Sequence, residues 1–296
     1  MDSLHDIIQR FKNKGTPLEG EKEFTTPVVE KGIKLKYWPN EVACLPNEWV
    51  RSGLFAVTNK LPMRIHPLTG EKERLYVVKK DIPTFSENVK LTYTGFELNQ
   101  FDQKVYLTAI REAKTQYLEC IVQMTANEFC EAGHFSTGGA TTKAVKQSLE
   151  RLFQSNLKSE LFKDVSGQKS LVREYHDHLI NHYSVDKNTG RWNIALSARL
   201  AAMYQFQTSW IDWATWHQVK GDIAKAMMLQ VCSHEAPPNK PQKIQYPMLK
   251  NILRIDSPIR RLRFRLKKSG DELLEKGVVQ TWECKPDYLT FTRRQN

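Results

Sequence analysis

Seven basic residues crowd into positions 254–268: Arg254, Arg260, Arg261, Arg263, Arg265, Lys267 and Lys268, against the single acid Asp256. Arginine at this density has a definite chemistry. Its planar fork donates two hydrogen bonds at once to guanine O6 and N7 or to a phosphate, where lysine acts as a point charge. Projected at about 100° per residue, Ile259, Leu262, Leu266 and Leu273 share one face of a helix. Arg260, Arg261, Arg265, Lys267 and Lys268 spread over the other, with Phe264 among them. That ring has two readings of equal weight, a thymine methyl or a neighbouring element of the protein. A solvated helical face mixes both signs and pairs Glu with Lys four residues on. Here acid returns only at Asp271 and Glu272, so the stretch reads as a recognition helix for nucleic acid.

A second candidate face is weaker. Lys143, Lys146, Gln147, Glu150 and Arg151 fall outward on a helix whose Val145, Leu149 and Leu152 fall inward, and all of these outward residues but Glu150, with Thr142, are candidate DNA contacts. Such a set suits phosphate contacts with one Gln-to-adenine pairing. Two other patterns imitate enzymes. Residues 133–138 have the spacing of a phosphate loop, but Gly139 stands where Lys is required and Ala140 where Ser or Thr should hold magnesium. His176 and His178 share a face of a strand as in metal-dependent nickases, yet Asp177 separates them and no Tyr follows at a helical position. The expectation is a binding protein with no catalytic residue, metal or cofactor.

The elements that must position these faces follow from periodicity and caps. Asp102 is placed to cap a first helix carrying Val105, Ala109, Ile110 and Ala113; residues 120–124 are strand-like; Thr125 and Glu128 form a capping box for a second helix. A turn at 133–139 leads to a third helix capped by Thr141 or Thr142, and residues 155–183 read as a hairpin around Ser166. The same order returns later. Residues 222–232 and 247–253 are helical, Ser257 with Pro258 opens the cationic helix as cap and first residue, and 278–284 with 288–292 closes it as a hairpin. The fold expected is α+β: two winged-helix domains (helix-turn-helix with a β wing) in tandem, at 46–195 and 196–296, the second the main sequence-reading unit. Residues 1–45 precede them as a mobile arm whose Leu4, Ile7, Ile8 and Phe11 are spaced for a short helix. Between the units, Trp210, Trp213 and Trp216 are spaced to stack on one helical face, together with Trp192 as a core seam rather than a base-stacking platform.

Composition agrees with a polyanionic partner. Lys+Arg 44 against Asp+Glu 33 gives a net charge of +11 over 296 residues. Five scattered cysteines without a C-x-x-C pair suggest reduced thiols. No apolar run is long enough to cross a bilayer, and the polar start is unlike a signal peptide, which points to a cytoplasmic protein without a membrane role.

Two stretches carry a more specific likeness. Asn47-Glu48-Trp49-Val50-Arg51-Ser52-Gly53-Leu54-Phe55 and Leu91-Thr92-Tyr93-Thr94-Gly95-Phe96-Glu97-Leu98, followed by Asp102 and Val105, resemble the TrfA family of plasmid replication initiators. The similarity runs from about Asn47 to Cys284 and includes a basic helix ending at Gly277-Val278. The resemblance implies binding to tandem direct repeats (iterons) in double-stranded origin DNA in a bacterial cytoplasm, and opening of a neighbouring AT-rich segment. It also implies recruitment of host initiator, replicative helicase and polymerase clamp, and dimers that dissociate to monomers. The arm before Asn47 carries no clamp-binding pentapeptide of the Gln-Leu-x-Leu-Phe kind. Other readings of the same residues are a dimeric winged-helix transcriptional repressor and a metal-dependent rolling-circle nickase.

Overall fold

The structure, a computed structural model, describes residues 42–294 except 59–60, 69, 71, 114–120, 167, 198–199, 201–202, 204–207 and 235–239. The expected arm therefore lies almost wholly outside the described residues. In chain order the first half contains β1 (Val42–Pro46), α1 (Asn47–Val50), β2 (Phe55–Ala56), β3 (Met63–Ile65), β4 (Lys72–Arg74), β5 (Tyr76–Ile82), β6 (Val89–Phe96) and β7 (Leu98–Asn99). Then come α2 (Gln100–Ala113), β8 (Ile121–Met124), α3 (Ala126–Ala132), α4 (Gly139–Phe153), β9 (Asn156–Val165), β10 (Gln168–His178), β11 (Ile180–Val185) and β12 (Trp192–Leu196). The second half holds β13 (Thr208–Asp212), α5 (Trp213–Gln218), α6 (Asp222–Ser233), β14 (Gln242–Gln245), α7 (Tyr246–Ile252), α8 (Ile259–Glu275), β15 (Val279–Cys284) and β16 (Tyr288–Arg293). The fold is α+β, with antiparallel sheets ordered β10-β9-β6-β5, β11-β12-β8 and β14-β16-β15.

Helix α2 is the axle of the first half. Val105, Tyr106, Leu107, Ala109, Ile110 and Ala113 are all buried, and Trp49 lies 5.8 Å from the Tyr106 ring. Its start differs from expectation. Asn99, not Asp102, caps the helix: the Asn99 side chain accepts from the N–H groups of Phe101 and Asp102, while the Asp102 carboxylate accepts from Asn99 N at 2.9 Å. Asp102 thus sits in the third helical position of a reciprocal cap, buried, and open to further donors. The Thr125 and Glu128 box at α3 forms as expected, with bonds of 3.3 and 2.6 Å. Hydrogen bonds from Thr125 hold the Glu128 carboxyl below its usual range.

Three more expectations are corrected. Helix α4 starts at Gly139 with Gly138 as its cap, so Thr142 lies inside the first turn, beside the Cys130 thiol. The hairpin of β9 and β10 does not flank α4 as a wing: β9 pairs with β6, and the strands that join β8 are β12 and then β11. Period-two patterning identifies strands but not their partners. Trp210 is on strand β13, and only Trp213 and Trp216 share α5, buried and stacked at 5.4 Å.

The halves are tied by polar contacts with long sequence separation. Gln100 Nε2 donates to Asp222 O at 2.7 Å, Arg51 Nε to Ser233 Oγ at 3.2 Å, Ser209 Oγ to Asn47 Oδ1 at 2.6 Å, and Arg254 pairs with Glu97. The described residues all belong to one compact unit.

Candidate nucleic-acid interface

Helix α8 is built to hold one face inward. Leu262, Leu266, Ser269, Gly270 and Leu273 are buried, a stripe repeating at three and four residues. Each fully buried leucine contributes about 1.5 to 3 kcal/mol. Trp282 of β15 lies flat on this stripe and its indole N–H donates to Leu266 O at 3.0 Å. A Cβ on Gly270 would stand 1.9 Å from the indole Cδ1, so only glycine admits this approach. Glu272 turns back to accept from Lys220 N and Gly221 N, which closes the N-terminus of α6. The helix ends in a Schellman closure, Val278 N to Leu273 O at 2.9 Å and Gly277 N to Leu274 O at 3.0 Å, with Gly277 at φ 68°.

The acids that follow the cationic stretch are thereby accounted for: Glu272 is occupied within the protein and Asp271 lies past the stretch. Arg260, Arg261, Arg265, Lys267 and Lys268 are exposed, and among the described residues no side-chain hydrogen bond or ion pair engages them. Phe264, in their midst, is 73% exposed, which removes the reading in which it packs on a neighbouring element. Arg263 is half-buried with its guanidinium 5.9 Å above the Tyr246 ring. Ser257 is not the cap of α8. Pro258 occupies that position, and the Ser257 hydroxyl is buried without a hydrogen-bond partner among the described residues.

Arg254 and Arg151 have been drawn inward by acids. Arg254, at φ 52°, pairs with buried Glu97, which also takes Lys80. Arg151 donates to Asp102 Oδ1 from Nε at 3.2 Å and from Nη2 at 2.7 Å, joined there by Ser148 Oγ at 2.7 Å. Arg74 pairs with Asp102 and donates to the backbone carbonyl of Glu97 at 3.1 Å. Burial pushes the pKa of Lys80 and of Arg254 down, and burial with the Asp102 charge pushes Tyr93 up. These two arginines hold the fold together and offer no free fork.

What remains on α4 is modest. Lys143 and Gln147 are exposed, Glu150 beside them is acidic, and Lys146 is half-buried with its ammonium 5.9 Å over the Trp192 ring. Periodicity did not single out two further cations. Lys187 and Arg191 are exposed on the turn between β11 and β12, where Asp186 Oδ1 accepts from Asn188 N at 2.8 Å and Gly190 takes φ 67°. The Asp186 to Gly190 turn chemistry was the signal that marks this hairpin tip.

A family model described as TrfA protein matches residues 28–293. The chain belongs to the TrfA family. Among TrfA relatives, the Escherichia coli protein described as plasmid replication initiator protein TrfA is 29% identical over 116 residues, which is 39% of this chain and 28% of that one. A solved structure of domains 2 and 3 of RctB matches 85% of this TrfA-family chain and 99% of its own, with TM-score 0.52 and 10% identity, a likeness of fold. A structure of the Pi initiator protein with iteron DNA matches 67% of this chain and 96% of its own at TM-score 0.42 and 13% identity.

Proposed function

We propose that this TrfA-family protein is a plasmid replication initiator that binds tandem direct repeats in double-stranded origin DNA through two winged-helix units, 46–195 and 196–296. The observation that carries the reading is the face of α8: five exposed cations without a side-chain partner among the described residues around an exposed phenylalanine, with Glu272 of that helix turned to the start of α6. In each half the order helix, strand, helix, helix, strands is that of a winged helix, which supports α4 and α8 as the helices offered to the major groove. The DNA-contacting set is Arg260, Arg261, Phe264, Arg265, Lys267 and Lys268 on α8, with Lys143, Lys146 and Gln147 on α4. The asymmetry between the two helices favours direct repeats over the palindrome expected of a dimeric repressor.

Host initiator, helicase and clamp are the partners the family resemblance supplies, with a dimer that opens to monomers, in the cytoplasm. No helix among the described residues is long and apolar enough to cross a membrane. A nickase is disfavoured by the histidine strand itself. His176 Nε2 is 2.5 Å from Asn156 Oδ1, His178 Nδ1 is 3.1 Å from Phe153 O, and Asp177 accepts from Ser197 Oγ at 2.8 Å, so all three side chains are occupied within the sheet and its neighbours. The test is selection of bound duplexes from a random pool. Recovery of a short motif that footprints as tandem repeats supports an initiator; an inverted repeat supports the repressor. Magnesium-dependent nicking of a supercoiled origin, abolished by His176→Ala, supports the nickase.

A further inference from the structure

A second cationic group lies off the exposed faces of both reader helices. Lys104 and Arg111 on α2, His134 in the turn between α3 and α4, His217 on α5 and Lys225 on α6 gather around the aromatic rings of α5. The His134 and His217 rings stack at 4.2 Å, and Trp213 and Trp216 lie 4.4 and 5.1 Å from His217. Lys104 Nζ donates to His134 O at 2.8 Å and sits 4.0 Å over the Phe135 ring; Lys225 Nζ sits 4.7 Å over Trp216. His134 is exposed at the rim, and Lys104, Lys225 and His217 are half-buried.

Acids are few. Glu112 takes Arg111 at 3.3 Å, Glu272 accepts from the Lys220 and Gly221 amides, and the charges of Asp222 and Glu272 both act on Lys225. On α5 the atoms Trp213 Nε1, Trp216 Nε1 and His217 Nε2 are buried with no hydrogen-bond partner among the described residues. A half-buried group of cations beside unpartnered ring nitrogens has electrostatics that suit an oxyanion. The crowding of positive charge acts on the groups themselves. Burial, and then the charges of Lys104, His134, Lys225 and Arg111, hold His217 down at about 3, while burial and Lys225 hold Lys104 at about 8.

We infer that Lys104 and Lys225, with His134 at the rim, bind one phosphate group where the two halves meet. The inference rests on the DNA-binding reading for its source: a backbone phosphate of the duplex that runs between the two units. Such a contact carries no sequence information and fixes how the two readers are placed along the DNA.

Lys104 gives the test its signature. It is faced by Lys225, His134, His217 and Cys130. Its ammonium is present below about 8 in the free protein and is stabilised by a bound phosphate, so affinity should be constant below that pH and fall as pH rises through it. Duplex affinity of the full chain is measured from pH 7 to 9.5 for wild type, Lys104→Gln, Lys104→Arg and Lys225→Gln. Ring signals of His134 and His217 are followed by NMR with duplex and, separately, with inorganic phosphate at constant ionic strength. The expected result is that Lys104→Gln loses about 10-fold at pH 7 and about one unit of salt slope, with an unchanged ratio of repeat to scrambled duplex. Lys104→Arg should restore the affinity and remove the fall through pH 8. Histidine signals that move with duplex support the backbone assignment. Signals that move only with inorganic phosphate overturn it in favour of a free anion. A wild type with flat pH response and a Lys104→Gln indistinguishable from it overturn the site while leaving α8 untouched. Failure to bind any duplex overturns the DNA reading, and the inorganic phosphate arm still decides the site.

Discussion

Helices α4 and α8 occupy the same place in their halves and carry similar basic residues in the sequence, yet the structure uses them oppositely. On α8 Glu272 is occupied at the start of α6, and Arg260, Arg261 and Arg265 are exposed with no side-chain partner among the described residues. On α4, Arg151 is held by a carboxylate, Lys146 lies over a tryptophan, and Thr142 lies beside a cysteine. The difference teaches that the number of cations on a helix says little about binding until each one's internal partner is known. Asp102, fully buried, decides the fate of Arg151, and Glu97 decides that of Arg254.

The comparison can be strained first by salt. If α8, α4 and the hairpin tips together neutralise about 6 to 10 phosphates, affinity should fall about 10³ to 10⁵-fold between about 50 and 200 mM salt. A flat response in an electrophoretic titration series would show that the free face of α8 is merely solvated. Next in size is the stability of the two arginine classes. Arg151→Met removes one of the two cations on buried Asp102, with Arg74 and Ser148 remaining, and should cost about 1.5 to 3 kcal/mol in urea unfolding. Arg261→Met, which breaks no side-chain hydrogen bond or ion pair among the described residues, should stay within about 0.5 kcal/mol of wild type. Equal losses would erase the distinction between structural and free arginines.

Smaller effects sharpen the picture. Gly270→Ala forces the Trp282 indole off α8 and should cost about 1 to 3 kcal/mol, read as a lowered midpoint in the same unfolding curve. Lys143→Ala should weaken repeat and scrambled duplex together and lower the salt slope by about 1. A loss confined to the repeat would make α4 a second reader of sequence.

Much of this was legible in the residues. The spacing of Leu262, Leu266 and Leu273 marks α8, and the Thr125 and Glu128 box marks α3, because both signals are local. The roles of Arg151 and Arg254 were not legible: their carboxylates lie 49 and 157 positions away in the chain. Strand pairing failed for the same reason, since nothing near β9 says that β6 will be its neighbour. Ser257 misled because Pro258 takes an extended ψ of 145°, which delays the helix by one residue. Tryptophans spaced by three suggested one helix through Trp210, but the chain turns from strand to helix between Asp212 and Trp213, where the Asp212 side chain caps α5.

The most direct test of the central claim uses charge-preserving changes in the first turn of α8. Arg260→Lys and Arg261→Lys keep the field and remove the bidentate fork. Each variant is titrated against the selected repeat and against scrambled duplex at one salt concentration. The account predicts a loss of about 1 to 3 kcal/mol on the repeat and little on scrambled DNA. Equal losses on both would contradict it, and α8 would no longer be the element that reads sequence.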